Sequence, residues 1–179
     1  MEKTVSPSKS AIQYGIIFGI IMILELVISY SFDITSENKA YGISINVLNF
    51  LIVPIMLIII GCNNYKEKLN SGFISFSESL KIGVTICIIA ALMYVIFFVI
   101  FNMIFPEFSE KILNQAKEAV IQQSQGKPKE QVELALSMTE KMMSPFVILP
   151  ITLIMYAFIG LIYSLIIGAF VKKERPISY

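Results

Sequence analysis

The sequence contains no histidine, and only two of its 179 residues are cysteine. Histidine is the commonest general base and the commonest metal ligand, so its absence argues against most acid–base catalysis and against transition-metal sites. Cys62 lies near the end of an apolar segment and Cys87 lies inside one, which indicates neither a disulfide framework nor a thiolate metal site. We therefore expect no enzyme activity, no catalytic or metal-binding residues and no cofactor.

The chain also lacks an excess of charge of either sign. Its 14 lysine and arginine residues and 13 aspartate and glutamate residues leave a net charge of +1, and the basic residues are scattered rather than arranged in a stripe. Such a chain presents no field that would attract a phosphate backbone. We therefore expect no nucleic-acid partner.

Charged residues are missing from long stretches of the chain. The windows 40–65, 82–106 and 142–171 contain none, and only Glu25 interrupts a fourth window at 10–32. Each window exceeds the roughly 20 residues that a helix needs to cross a bilayer. The apolar run at 10–32 is too long for the core of a signal peptide, so we interpret it as a retained helix. The sequence therefore predicts an integral membrane protein with four transmembrane helices embedded in the lipid bilayer.

The predicted fold is a single all-α membrane domain over residues 1–179. It is a four-helix bundle with an extracytoplasmic helical hairpin between the third and fourth spans, because apolar residues recur at helical spacing on both sides of Gln125-Gly126-Lys127-Pro128. We expect the apolar faces of the hairpin to close on each other, with a partner protein or the membrane surface as alternatives. These faces carry Phe108, Ile112, Val132 and Leu136. The predicted bounds are about 11–32, 42–62, 76–105 and 145–171 for the spans and about 106–144 for the hairpin.

Local signals mark the ends and bends of the spans. Ser75-x-x-Glu78 matches a capping box at the start of the third span. Ser144-Pro145 predicts a cap and a first-turn proline at the start of the fourth. Pro54 and Pro150 fall inside spans, where we expect kinks, and a neighbouring helix or water can satisfy the carbonyl that Pro54 frees.

The distribution of basic residues predicts the orientation. The two tails and the segment 63–81, which we expect to begin as a basic loop with Lys66 and Lys68, carry eight basic residues, and the opposite side carries six. Short segments beside helix ends that are rich in lysine and arginine face the cytoplasm. We therefore predict that both termini are cytoplasmic.

Small residues recur at four-residue spacing in three spans, as Ala11-Gly15-Gly19, Gly83-Cys87-Ala91 and Gly160-Ser164-Gly168. Such stripes let helix backbones approach closely in a membrane. We interpret them as packing within the chain rather than as the seam of a homodimer, since four helices must bury their faces somewhere. The predicted helix-packing residues are Gly15, Gly19, Gly83, Gly160 and Gly168.

Glu25 is a carboxylate inside a predicted span, where a charge costs about 2.5–3.5 kcal/mol, so it should face the interior of the bundle. Polar residues at a similar depth in the other spans could hydrogen-bond it. The predicted intramembrane cluster is Glu25, Asn46, Asn49, Tyr94, Thr152 and Tyr156. The functional interpretation is a proton or cation step in transport. The structural interpretation, a polar pin between helices, is favoured because one acid without a second acid or a base makes a poor relay.

Several short segments together resemble a known family. They include Tyr65-Lys66-x-Lys68, Gly72-Phe73-Ile74-Ser75-Phe76, Lys81-Ile82-Gly83, Tyr94, Pro106-Glu107-Phe108 and Gly160-Leu161-Ile162-Tyr163-Ser164-Leu165-Ile166. Across nearly its whole length the chain resembles an uncharacterised family of bacterial membrane proteins, domain of unknown function 4199 (DUF4199). The resemblance implies a four-span protein of the bacterial inner membrane and implies no activity. Glu25 matches no pattern of that family.

The sequence thus leaves two functional hypotheses. The first is a non-enzymatic structural or accessory membrane component, either a homo-oligomer or the partner of another membrane protein. The alternative is a small transporter or channel that uses Glu25.

Overall fold

The computed structural model describes residues 6–32 and 39–175, and within them it contains seven α-helices and no β-strand. The helices are α1 (Pro7–Ser31), α2 (Lys39–Val47), α3 (Val53–Asn64), α4 (Phe76–Ile104), α5 (Pro106–Gln123), α6 (Lys129–Met142) and α7 (Pro145–Val171). Two π-helical segments, Leu48–Ile52 and Tyr65–Leu69, follow α2 and α3 without a break.

Four helices are long and apolar enough to cross a membrane: Pro7–Ser31, Ala40–Leu69, Phe76–Ile104 and Pro145–Val171. The second of these joins α2, α3 and both π segments. The prediction of an all-α protein with four candidate membrane spans is therefore confirmed, and the four helices indicate a membrane protein.

The second span continues beyond its predicted end at Cys62, and the expected basic loop at Lys66 and Lys68 is wrong because the helix runs on through the π segment Tyr65–Leu69. Tyr65 is only 2% exposed, and its hydroxyl donates to Glu78 Oε1 at 3.0 Å. This contact holds the last turn of the span against the first turn of α4.

Pro54 lies in the first turn of α3, directly after the π segment Leu48–Ile52 of the second span. Proline has no N–H, so the carbonyl four residues earlier loses its helical donor. That carbonyl belongs to Phe50, and it accepts a hydrogen bond of 2.6 Å from the hydroxyl of Tyr163 on α7. A neighbouring helix thus satisfies the freed carbonyl, as expected.

The two predicted helix starts differ in detail. At α4 the capping box is confirmed, because the Glu78 amide donates to Ser75 Oγ at 3.3 Å and the Ser75 amide donates to Glu78 Oε2 at 2.8 Å. At α7, Pro145 occupies the first turn as predicted, but Ser144 makes no side-chain cap. Its backbone carbonyl instead accepts the amides of Val147 and Ile148, both at 3.0 Å.

The fourth helix along the chain, α4, is the centre of the packing, because α1 and α7 both lie along it and α3 contacts both α4 and α7. A Cβ at Gly15 would lie 2.7 Å from Ile89 Cβ, and one at Gly160 would lie 2.9 Å from the Gly83 carbonyl oxygen. Real Cβ atoms do not approach so closely, so these helices meet backbone to backbone.

The other stripe glycines lie in the same two seams. A Cβ at Gly19 would lie 2.9 Å from Met93 Cβ, one at Gly83 would overlap the Ser164 side chain, and one at Gly168 would lie 3.1 Å from Ser79 Cβ. The close packing is therefore concentrated along α4, in the half of the helices nearest the chain termini.

The helices α5 and α6 form an antiparallel pair in which neither helix contains a buried residue, and only Ser124 in the connecting turn is buried. Gly126 in that turn has a φ of 84°, a conformation that glycine adopts readily. The pair is joined by an ion pair of 3.6 Å between Lys117 and Glu140. Their inner faces contact each other, while Leu134, Met138 and Met142 on α6 are exposed.

The described C-terminal segment is hydrogen-bonded to the loop before α4. We call the contact of Lys173 and Arg175 with Ile74 and Asn70 the terminal clasp. Ile74 and Lys173 exchange two backbone hydrogen bonds of 2.9 and 2.8 Å. Arg175 Nη2 donates to Asn70 Oδ1 at 2.7 Å, and Lys66 Nζ donates to the Val171 carbonyl at 3.3 Å. The C-terminal segment and the loop at 70–75 therefore lie at the same end of the molecule.

Candidate functional site

The half of the helices nearest the hairpin forms an open cavity of about 340 Å³. Its wall comes from α1, α2, the first π segment, α4 and α7, and the first turns of α5 complete it. The cavity therefore lies at the opposite end from the close packing of the glycine stripes.

All six residues of the predicted polar cluster line this cavity. They differ in exposure, because Asn49 is 8% exposed and Tyr156 3% exposed, whereas Glu25, Tyr94 and Thr152 are half-buried. Asn46, three residues before Asn49, is exposed. Equal depth in the membrane thus brings the six residues to one cavity without giving them the same environment.

Glu25 and Asn49 form the polar centre of the cavity wall. The side-chain amide of Asn49 donates a short hydrogen bond to Glu25 Oε2. The other carboxylate oxygen, Glu25 Oε1, and the amide oxygen, Asn49 Oδ1, are both buried and have no hydrogen-bond partner in the part of the chain that the structure describes. Two hydrogen-bond acceptors without donors therefore belong to adjacent side chains at one site.

The π segment accounts for the position of Asn49. The residue lies inside the π segment Leu48–Ile52, which ends two residues before Pro54. Such π segments occur mostly as single-turn bulges inside α-helices and are frequent at functional sites. Within this segment, the Asn49 amide lies beside Glu25.

The other predicted cluster members form the wall rather than a shell around the carboxylate. Thr152 Oγ1 donates to the Ile148 carbonyl of its own helix at 2.8 Å. Tyr156 stacks on Phe50 with ring centroids 5.7 Å apart, and Tyr94 stacks on Phe98 at 6.0 Å.

Sequence reasoning missed the aromatic character of the cavity. Six of its lining residues are aromatic: Tyr41, Phe50, Tyr94, Phe98, Phe108 and Tyr156. Phe50 adjoins Asn49 and Phe98 lies one helical turn after Tyr94, so sequence neighbours of the polar residues could have indicated them.

The start of α5 is held over the cavity by contacts to α1 and α4. Tyr30 on α1 donates to Glu107 Oε1 at 3.1 Å, and its ring lies 5.7 Å from that of Phe108. Ser109 donates a short hydrogen bond to Asn102 near the end of α4. These contacts keep Phe108 and Ile112 on the cavity wall, in addition to the expected packing between α5 and α6.

The electrostatics of the cavity are simple, because Glu25 is the only charged side chain among the described residues that line it. Behind this wall, one carboxyl oxygen of Glu25 and the amide oxygen of Asn49 are buried without a hydrogen-bond partner among the described residues. Chemically, this arrangement can bind a hydrogen-bond donor that carries positive charge.

The comparisons with known proteins give a family. Residues 13–173 match the model of a family described as protein of unknown function, DUF4199. This match covers most of the chain and confirms the resemblance that its sequence segments indicate. No curated protein and no solved structure matches the chain.

Proposed function

Because the chain belongs to the DUF4199 family, whose description assigns no activity, we propose a function from its own geometry. The protein is a non-enzymatic accessory component of the bacterial inner membrane that binds a small cationic ligand at Glu25. The location in the inner membrane and the absence of enzyme activity are parts of this proposal that rest on the sequence alone.

The observation that carries the proposal is Glu25, which lines a cavity of about 340 Å³ and whose buried Oε1 has no hydrogen-bond partner among the described residues. A purely structural pin is expected to satisfy both carboxylate oxygens, since a buried acceptor without a donor costs about 1–3 kcal/mol. Here Asn49 satisfies only one of them. The missing donor at the other oxygen and the cavity that the Glu25 residue lines support a ligand rather than a pin.

The distribution of packing supports access from the hairpin end. The seams at Gly15, Gly83 and Gly160 leave no space for a Cβ, whereas the cavity lies among the helix ends that adjoin α5. This asymmetry favours a binding site entered from one side over an open channel. With the predicted cytoplasmic tails, the hairpin and the entrance lie on the extracytoplasmic side.

The test is the thermal stability of the full-length protein in a non-ionic detergent with a panel of inorganic and organic monocations. A ligand at 100 times its Kd stabilises a protein by about 2.7 kcal/mol. We expect at least one cation to stabilise the wild type and the control Glu118→Gln, whose exposed carboxylate lies on α5, but not Glu25→Gln. Equal responses of all three proteins to every cation would contradict a binding role for Glu25.

A second variant separates binding from stability. Glu25→Leu removes the acceptor of the Asn49 amide, so we expect it to melt at a lower temperature by the equivalent of about 1–3 kcal/mol. A Glu25→Leu protein that melts higher than the wild type would show that the carboxylate only burdens the fold.

Transport remains the second candidate function, because the same carboxylate could bind a cation in transit. Flux of the stabilising cation into liposomes that contain the wild-type protein, and its loss in Glu25→Gln, would support transport. Binding without flux would support the accessory role.

A further inference from the structure

We propose that an open pocket between the start of α1 and the end of the second span binds the phosphate group of an anionic phospholipid. The pocket has a volume of about 560 Å³, and we call it the basic pocket. Six polar residues line it: Lys9, Ser10, Gln13, Tyr14, Asn64 and Lys68. Lys9 precedes Glu25 by sixteen residues on α1, which is about 24 Å along the helix axis. The inference is therefore independent of the site at Glu25.

The basic pocket carries positive charge without a counter-charge. Lys9 and Lys68 line it, and no acidic side chain does so in the part of the chain that the structure describes. Neither lysine has an ion pair or a hydrogen bond to any of those residues, whereas Lys66 donates to the Val171 carbonyl. Both lysines are therefore available to an anion, with which they can form charge-assisted hydrogen bonds.

The neighbouring groups in the basic pocket also suit a phosphate. Gln13 and Asn64 each bring a side-chain amide with two N–H donors. Lys9 and Ser10 belong to the first turn of α1, and Ser6 makes no side-chain cap at that helix start. The partial positive charge at the start of a helix favours an anion. Two cations, two amides and one helix start thus adjoin the same pocket.

The packing of α1 on the second span explains why both lysines reach one pocket. A Cβ at Gly61 would lie 3.3 Å from Cδ2 of the Tyr14 ring, so the two helices are in contact at that level. Lys9 precedes Tyr14 on α1, and Lys68 follows Gly61 on the second span. Because consecutive spans run in opposite directions, both lysines lie towards the same end of the bundle, at the edge of the charge-free segments. Basic pockets between transmembrane helices at this depth bind lipid head groups.

The surface next to the basic pocket favours a lipid over a free phosphate ion. Ile17 lies one helical turn after Gln13 on α1, and Ile60 lies one turn before Asn64 on α3. Both isoleucine side chains are exposed, on the membrane side of the pocket. An acyl chain can therefore lie along this apolar surface while its phosphate remains at the two lysines.

The experiment measures the binding of three probes to the full-length protein by native mass spectrometry from a non-ionic detergent. The probes are dioctanoyl phosphatidylglycerol, dioctanoyl phosphatidylcholine and glycerol 3-phosphate. The two lipids share their phosphodiester and acyl chains, but only phosphatidylglycerol carries a net negative charge. Each lysine beside an anionic lipid surface contributes roughly fivefold to affinity, so phosphatidylglycerol should bind at least about tenfold more tightly than phosphatidylcholine. Glycerol 3-phosphate should also bind at least about tenfold more weakly than phosphatidylglycerol, because it has no acyl chain.

A pair of double variants tests whether the basic pocket itself is the site. Lys9→Gln with Lys68→Gln should weaken the binding of phosphatidylglycerol by at least about tenfold. The matched control, Lys81→Gln with Lys172→Gln, removes the same charge from the same end of the bundle but outside the pocket. It should weaken binding by less than about threefold, because exposed charges at a distance are screened by salt. All four lysines are exposed, so both double variants should fold.

Three results would contradict the proposal. Equal binding of the two lipids to the wild type would show that the charge of the pocket plays no part. Equal losses in the two double variants would show that the whole charged surface attracts the lipid, and the basic pocket would not be a site. Glycerol 3-phosphate that binds as tightly as phosphatidylglycerol would show that the pocket takes a soluble phosphate and would overturn the lipid as its source.

Discussion

Replacing Gly160 with alanine is expected to push α4 and α7 apart. The new Cβ would lie 2.9 Å from the Gly83 carbonyl oxygen and 3.0 Å from Val84 Cα. Both atoms belong to the backbone of α4, so no side-chain rotation relieves the overlap. Overpacking of this kind costs about 1–3 kcal/mol. Alanine regains about 0.5–1 kcal/mol of helix propensity, and the net loss of stability should be about 0–2.5 kcal/mol.

Two other glycines provide matched controls for this substitution. Gly42 lies in α2 with nothing within 4 Å of its would-be Cβ, so Gly42→Ala should only gain helix propensity and stabilise by about 0.5–1 kcal/mol. At Gly168 the nearest atom is Ser79 Cβ at 3.1 Å, a contact that a small shift relieves. Gly168→Ala should therefore fall between the other two variants.

The assay is reversible unfolding of the three alanine variants and the wild type in mixed micelles with increasing denaturing detergent. The expected order of stability is Gly42→Ala, then Gly168→Ala, then Gly160→Ala. Equal midpoints for Gly42→Ala and Gly160→Ala would refute the close approach of α4 and α7 at this point.

Two further predictions concern the second span and the orientation. Tyr163→Phe should destabilise the protein by about 1 kcal/mol, because the Phe50 carbonyl loses its donor. The loss of stability should be smaller in a Pro54→Ala background, which restores a backbone N–H that can donate to the same carbonyl. A double-mutant cycle from thermal melts measures this coupling. In a cysteine-free background, a cysteine introduced at Gln123 should react with an impermeant thiol reagent added outside intact cells, and a cysteine introduced at Ser8 should not. The reverse result would show that the tails lie outside.

The spans and the local caps could be predicted because their causes lie close together in the sequence. The thickness of the bilayer fixes the length of a charge-free window, and the capping box at Ser75 and Glu78 involves residues three positions apart. The π segment before Pro54 could not be predicted in the same way. Its freed carbonyl is satisfied by Tyr163, which is 113 residues away from Phe50.

The candidate site could also be predicted only in part from the sequence. Depth along a helix can be counted from the sequence, and that count places the six polar residues at one level of the membrane. Rotation about the helix axis depends on packing, which is why Asn49 is buried while Asn46 is exposed. The contribution of Phe108 depends on how α5 folds back over α4, and no pattern within the spans encodes that turn.

The terminal clasp has a consequence for the geometry of the distant cavity. Its two backbone hydrogen bonds between Ile74 and Lys173 form only at one axial position of α7 relative to α4, and a slip by one residue breaks both. An α-helix is stiff and rises 1.5 Å per residue. Tyr156 therefore lies about 22 Å along the axis from the helix end at Val171, at a height that the clasp fixes. A contact near the described C-terminal end thus sets the register of a ring on the cavity wall, and a C-terminal tag that disturbs the clasp would displace that ring.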